Sequence, residues 1–389
     1  MGKYALLSAS GSARWLACPP SARLEEKFPK SSNAYADEGT AAHELSELAA
    51  RYALGMIAEK AYKAKLAKLK KGQYFTAEMM EHAMDYGMYI GELVDAARAQ
   101  CPDALVELEA TSLDFSRWAP EGFGTCDCII VADDVLEVID FKYGKGVAVS
   151  AEGNTQMRLY ALGAIMRYGE LFDIKRVRMT ILQPRINNDS TDELTAEELM
   201  AWAEDFVKPR AALAFAGEGE FSPSDKACKF CRVKAQCKAR YDKNLALFDD
   251  APDLLLITPE EAGSVLERAG DVKAWLTDLE NFILKELFAG NPVEGWKLVE
   301  GRSDRKYVDE DKVAKALTGA NYAEDDIYER KLLGITAMEK AVGKKKLGEL
   351  LEGLIYKPPG KPTLAQASDT RAEFKPEELI LEAFDDVEE

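Results

Sequence analysis

The stretch LEVIDFKYGKG, residues 136–146, decides how this sequence is read. Leu136, Val138 and Ile139 are strand formers, and Gly144 and Gly146 close the run. Asp140 and Lys142 stand two residues apart inside it, and positions i and i+2 of a strand share one face. Taken alone, the pair reads as a surface ion pair, worth only about 0–1 kcal/mol. Working outward, ALVELEATSL (104–113) and GTCDCIIVADD (124–134) precede it as β-rich runs broken by turns, and RVRMTILQPR (176–185) follows as another strand. Helical periodicity covers 36–58, about 76–100 and NTQMRLYALGAIMRY (154–168), and Thr195 caps a further helix. This predicts an α/β protein in which a β-meander is embedded among helices.

The chain has 389 residues, 47% of them hydrophobic and 30% charged, a soluble composition of two or three domains' length. No apolar run approaches the roughly 20 residues of a membrane span, and the N-terminus lacks a secretion signal, so a cytoplasmic location is expected. A net charge of −18 argues against a surface coated for nucleic-acid binding, though not against a local basic groove. Lysines and arginines gather in 61–72, 226–240 and 343–346, where a solvated helix face is the simpler reading. Beyond about 246 the texture is charged and helical, with one strand signal near Trp296–Val299, a Pro-rich breaker at 357–362 and an acidic tail. The expected division is 1–245 and 246–389.

Asp127 heads one strand of the meander and Asp140 ends the next, so a hairpin brings both carboxylates to one end of the sheet. Paired carboxylates repel unless a cation lies between them, and an oxygen-rich site suits Mg²⁺ or Mn²⁺. Lys142 would then project beside the cation, where an ammonium holds a water or stabilises charge on phosphorus. Gln156 and Tyr160 share a helix face downstream, and His43 and Glu47 have the same spacing upstream. His82 reads as a packed or surface residue; for Glu107 and Glu109 two readings stand, that one of them helps the site or that both are ordinary exposed strand positions, the latter slightly favoured.

Seven cysteines in a chain without an export signal point to metal binding or burial rather than disulfides. Cys228, Cys231 and Cys237 form a tight triplet that supplies three corners of a tetrahedron, and Cys18 is the candidate for the fourth. Spacing alone leaves zinc open. Cys101, Cys126 and Cys128 read as buried or incidental thiols, with Cys126 and Cys128 on the strand face opposite Asp127.

The order G-T-C-D (124–127), I-D-F-K (139–142) and Q-x-x-x-Y (156–160), behind a helical histidine, resembles the RecB/Cas4 branch of the PD-(D/E)xK nuclease superfamily. The resemblance implies a mixed central sheet flanked by helices over residues 7–240. It implies a Mg²⁺- or Mn²⁺-dependent deoxyribonuclease, an exonuclease on DNA ends or single strands in phage or prophage recombination or replication. By the same resemblance His43, Asp127 and Asp140 hold metal, Lys142 is the base or charge stabiliser, and Gln156 and Tyr160 shape the site. Cys18, Cys228, Cys231 and Cys237 become ligands of a [4Fe–4S] cluster, with zinc as the alternative. The second acid is Asp where the superfamily's name also allows Glu. SASGSARWLACPPSARL (8–24), GWKLVEGRSDRKYVDEDKVAKAL (295–317) and the segment near the end are also similar to a phage and prophage group, the DUF2800 group. A single-strand annealing or binding protein is the partner this implies, and Arg302, Arg305, Lys306 and Lys344–Lys346 would be C-terminal DNA or partner contacts. The competing readings are a non-catalytic nucleic-acid-binding scaffold on the same fold and a zinc-stabilised RNA-processing nuclease.

Overall fold

The computed structural model describes residues 5–29, 34–246, 258–299 and 309–320, with short pieces between 323 and 354. Five strands form one sheet in the order β1-β2-β3-β4-β5: Leu105–Asp114, Phe123–Ala132, Val135–Phe141, Arg176–Gln183 and Asn188–Thr195. Every neighbouring pair is antiparallel except β3 and β4, which are parallel from Val135↔Arg176 to Phe141↔Leu182. A parallel pair needs a crossover, and helix α6 (Thr155–Tyr168) supplies it. Asn154 starts α6 by accepting the amides of Gln156 and Met157 on its side chain.

Both faces of the sheet are covered, which explains why β2 and β3 read as continuous apolar runs. On one face Ile129, Val131, Leu136 and Val138 pack with Met157 and Leu159 of α6. On the other, Ile130, Ile139 and Phe141 pack with Leu45 of α3 (Ala34–Ala53) and Met79 and Ile90 of α5 (Ala77–Gln100). Gly87 lets α5 lie against α3, since a Cβ there would stand 2.9 Å from the Ala49 backbone.

Two elements depart from the expectation, while the lysine-rich run 61–72 folds as the helix face it reads as, in helix α4 (Glu59–Leu69). NDSTDELT (188–195) forms β5 although only Thr191 and Thr195 in it favour strands, because β4 supplies a full ladder of partners from Gln183↔Asn188 to Arg176↔Thr195. Its alternate residues are exposed, as a polar edge strand requires. Trp296–Val299 forms no strand.

Strand alternation also breaks where the candidate ligands lie. Cys126 packs in the cluster beneath α6 but Cys128 in the cluster beneath α3 and α5, so the two do not share a face. The regular β2–β3 pairing stops at Cys128↔Ile139, and the Phe141 amide donates to Asp127 Oδ2 at 2.7 Å instead of to backbone. Across from it on β1, Glu109 adopts φ 53°.

Close contacts divide the chain into Met1–Asn291 and Pro292–Glu389. The first unit extends past residue 245 because α11 (Pro259–Phe288) is bound to α10 (Lys238–Leu245). Buried Arg240 pairs with Asp271 at 3.1 Å and Asp278 at 2.7 Å, and Trp275 meets Tyr241 edge-on. The described residues of the second unit include helices α12 (Glu310–Gly319) and α13 (Lys344–Leu350). Arg302, Arg305, Lys306, the side chains of Lys344 and Lys345, the Pro-rich breaker and the acidic tail lie outside the described residues. Among the described residues no helix is long and apolar enough to cross a membrane.

Candidate metal site and cysteine pocket

The C-terminal end of β3, the facing turn of β2 and helices α3 and α6 meet at one end of the sheet. On the α3 side, His43 Nδ1 lies 3.0 Å from Asp127 Oδ1. His43, Glu109 and Asp127 each offer a ligand atom, and these atoms all lie within 4.8 Å of one another. On the α6 side, Lys142 Nζ is 2.8 Å from Asp140 Oδ2 and donates to Gln156 Oε1 at 3.4 Å. Gln156 Nε2 donates to Asp140 Oδ1 at 3.3 Å and to the Tyr160 hydroxyl at 2.9 Å. Gly124 makes room for Tyr160, since a Cβ there would lie 2.5 Å from the ring. The structure thus gathers His43, Asp127, Asp140, Lys142, Gln156 and Tyr160 from four elements and the turn after β3.

Glu109 belongs with them, against the expectation of an ordinary strand position. Alternation would place it with Glu107, which faces α6 and accepts from Arg167 at 3.1 Å and from Tyr168. The left-handed backbone at Glu109 turns its carboxylate to the α3 side instead. No residue type in the sequence announces that turn. Gln183 is a second residue the sequence did not single out. It is almost fully buried and ties down the loop after Lys142 by donating to the Gly144 and Val147 carbonyls and accepting from the Val149 amide. His82 packs its edge on Tyr143, an ordinary packing role.

The electrostatics are those of crowded acids. Burial, then the charges of Asp127 and Glu47, push the Glu109 carboxyl up to about 7. Burial also raises Asp140, against the opposing pull of Lys142. Burial would lower the Lys142 ammonium, but the Asp140 charge more than reverses it, so Lys142 stays protonated. Burial likewise opposes the His43 imidazolium, and the hydrogen bond and charge of Asp127 raise its pKa overall. Asp140 Oδ2 is a buried oxygen without an aligned hydrogen-bond donor among the described residues. The carboxylates of Glu109, Asp127 and Asp140 and the His43 imidazole are donors that Mg²⁺ or Mn²⁺ takes, so the residues fit a hard divalent cation.

A second centre lies where the N-terminal helices α1 (Ser12–Ala17) and α2 (Ser21–Glu26) meet the loop after α8 (Lys208–Ala216). Cys18, Cys228, Cys231 and Cys237 line one small pocket, walled by Phe221, Pro223 and Val233, with Arg14 and Lys234 at its edge. The Ser222 amide donates to Cys18 Sγ at 3.4 Å. Burial raises the thiols of Cys18 and Cys228 and takes Cys231 to about 12. All seven cysteines are free. Glu25, only 2% exposed, clamps the pocket: it pairs with Arg14 at 2.7 Å and accepts the Arg232 amide at 2.6 Å. The four thiols fit a soft metal or an iron–sulfur group. Among the described residues the one group of three possible ligands closing within 4.8 Å is His43–Glu109–Asp127.

Fold and site together define a mixed α/β protein with a cluster of acids, a histidine and a lysine at one end of a five-stranded sheet. The chain belongs to the DUF2800 family, described as a protein of unknown function, whose model matches residues 4–372. A solved structure described as that of SSO0001 is 13% identical, covering 61% of this chain and 88% of that one, with a TM-score of 0.28, too slight a likeness to inform the fold.

Proposed function

We propose that this protein is a divalent-metal-dependent nuclease of the RecB/Cas4 type, hydrolysing phosphodiester bonds in DNA, with its sheet as a PD-(D/E)xK core. The observation that carries the reading is the meeting of His43, Glu109 and Asp127 with the Asp140–Lys142–Gln156 network at one end of the sheet. Nothing in plain core packing calls for so many buried polar groups in one place, since each costs free energy to desolvate.

His43, Glu109, Asp127 and Asp140 would hold Mg²⁺ or Mn²⁺, which when bound supplies positive charge against the phosphate and a more acidic water. Lys142 is gripped by Asp140 on one side and Gln156 on the other, which fixes where its charge points. Because it remains an ammonium it has no lone pair to accept a proton. Its part is to hold the attacking water and to stabilise charge gathering on the phosphate oxygens. Gln156 orients Lys142 and Asp140 at once, and Tyr160, whose buried phenol stays neutral, fixes Gln156.

The cysteine pocket is proposed to hold a [4Fe–4S] cluster, with zinc as the alternative, since Cys18, Cys228, Cys231 and Cys237 line one small pocket. The cluster would be structural, tying the two ends of the first unit together. Its loss would cost folding before chemistry. The biological setting proposed is phage or prophage DNA recombination or replication.

The test is cleavage of end-labelled single- and double-stranded DNA with Mg²⁺ or Mn²⁺. The wild type should degrade it, and Asp140→Ala and Lys142→Ala should not. Equal degradation by Asp140→Ala, or none by the wild type with any divalent ion, removes the reading. In the latter case, DNA binding without cleavage identifies a scaffold on this fold.

A further inference from the structure

Two basic regions of this acidic chain differ in what their charges do. In the loop and helix around the cysteine triplet, most of the cations are committed to neighbouring acids, Lys226 and Lys229 excepted. Arg232 faces Glu25, Lys234 pairs with Asp278, Lys238 with Asp242, Arg240 with Asp271 and Asp278, and Lys243 with Asp271. On α4, Lys65 and Lys68 are exposed and have no ion-pair partner among the described residues. They face a groove of about 270 Å³ between α3 and α4, whose other polar lining is Glu44, Glu47 and Arg51 of α3.

The groove runs up to the proposed cation cradle. Glu47 lies one turn beyond His43 on α3, and its charge is among those that raise the Glu109 carboxyl. Glu47 is itself engaged by Arg51 at 2.6 Å, so the two walls of the groove differ: α3 presents acids, one of them already paired, and α4 presents the free ammoniums of Lys65 and Lys68. Two free ammoniums along one wall suit a linear polyanion. A cleft this size between two packed helices admits one sugar–phosphate backbone, while a duplex would meet its rim.

We propose that the α3–α4 groove is a track for the phosphodiester backbone of a single nucleic-acid strand, with Lys65 and Lys68 binding successive phosphates and delivering the strand to the His43–Glu109–Asp127 cradle. The proposal rests on the nuclease reading for what happens at the cradle, but not for binding. Each lysine neutralises a phosphate and releases a counterion, so each adds about 0.7 to the salt dependence of binding to a single strand.

The test is fluorescence anisotropy of a labelled 20-nucleotide single strand with the full chain in EDTA, so that no cleavage intervenes, titrated at several salt concentrations. Lys65→Ala/Lys68→Ala should bind at least tenfold more weakly near 0.1 M salt, with a log–log salt slope shallower by about 1.4. Lys238→Ala, which removes a charge already paired with Asp242, should change binding less than twofold. Thermal unfolding and Mn²⁺ binding of the double variant should match the wild type, which excludes misfolding. Matched DNA and RNA strands separate the two sources of this chemistry, and lysine-dependent binding of either supports the track. Unchanged affinity and slope in the double variant overturn it, as does a duplex bound as tightly as the single strand. Lysine-dependent binding with no cleavage under any divalent ion leaves the track standing and removes the nuclease reading. Cleavage with lysine-independent binding does the reverse.

Discussion

Replacing Glu109 by Gln should have effects of opposite sign on the free and metal-loaded protein. The substitution keeps the side chain's size and its left-handed backbone, so the fold is not asked to rearrange. In the metal-free protein Glu109 is crowded by Asp127 and Glu47, which with burial displace its carboxyl from 4.5 to about 7. A group whose pKa is raised on folding is accommodated best at low pH, and the stability it permits is lost as pH climbs through the folded value. For a fully buried group the displacement would be worth about 3 kcal/mol at about 1.4 kcal/mol per pKa unit. Glu109 is only half-buried, and solvent screening reduces this to ~1 kcal/mol. Urea unfolding in EDTA should therefore show the Gln variant about 1 kcal/mol more stable than wild type at pH 8 and no different at pH 5. Calorimetric titration with Mn²⁺ should show the reverse preference, with affinity reduced at least tenfold, about 1.4 kcal/mol. Wild-type affinity should also increase with pH between about 6 and 8, as the Glu109 proton ceases to compete. Undiminished Mn²⁺ binding by the variant, or a loss of stability at pH 8, refutes the assignment of Glu109 to the cradle.

Glu25→Ala strands Arg14 and Arg232 beside the cysteine pocket and should cost about 3–5 kcal/mol in chemical unfolding, whereas exposed Glu26→Ala should stay within about 0.5 kcal/mol. Protein purified without oxygen should be brown, with iron and sulfide by chemical analysis, and Cys18→Ser should lose both along with cooperative unfolding; stoichiometric zinc in a colourless preparation would contradict the cluster. Gly124→Ala drives a Cβ into the Tyr160 ring and should destabilise by about 1–3 kcal/mol in thermal denaturation, since no smaller shift relieves the 2.5 Å approach. Gln183→Leu should free the 144–149 loop and speed tryptic cleavage at Lys145 severalfold, and an unchanged digestion rate would show that its hydrogen bonds do not hold the loop.

What the sequence disclosed followed from how strongly each residue's surroundings restrict it. The meander and its crossover helix were legible because strands covered on both faces must be apolar throughout, and α6 is announced by its Asn154 cap. The strand β5 was not legible, since its residues are polar and its pairing comes entirely from β4. Asp140 and Lys142 could be paired by strand alternation and Gln156 and Tyr160 by helix period, and the meeting of the two pairs was what the resemblance implied. Glu109 could not be placed with them, because one residue with φ 53° reverses the alternation on which such pairing depends. The same break explains why Cys128 lies on the α3 side although Cys126 does not. The outer limit of the first unit was hidden for a different reason: Arg240, Asp271 and Asp278 look like surface charges in sequence and become a buried clamp only when α11 docks.

The cysteine pocket has a consequence for synthesis. Its first thiol, Cys18, leaves the ribosome long before its last, Cys237. At about 5–20 residues per second, on the order of ten seconds or more separates them. Throughout that interval Glu25 has no Arg232 to engage, and the N-terminal helices lack the loop that completes their site. Any group that bridges all four sulfurs must arrive after residue 237 has emerged, so loading is the final act of building the first unit's N-terminal end. A cell short of the loading machinery would accumulate chains whose sheet is complete but whose beginning is untethered, and proteases would meet the chain there first.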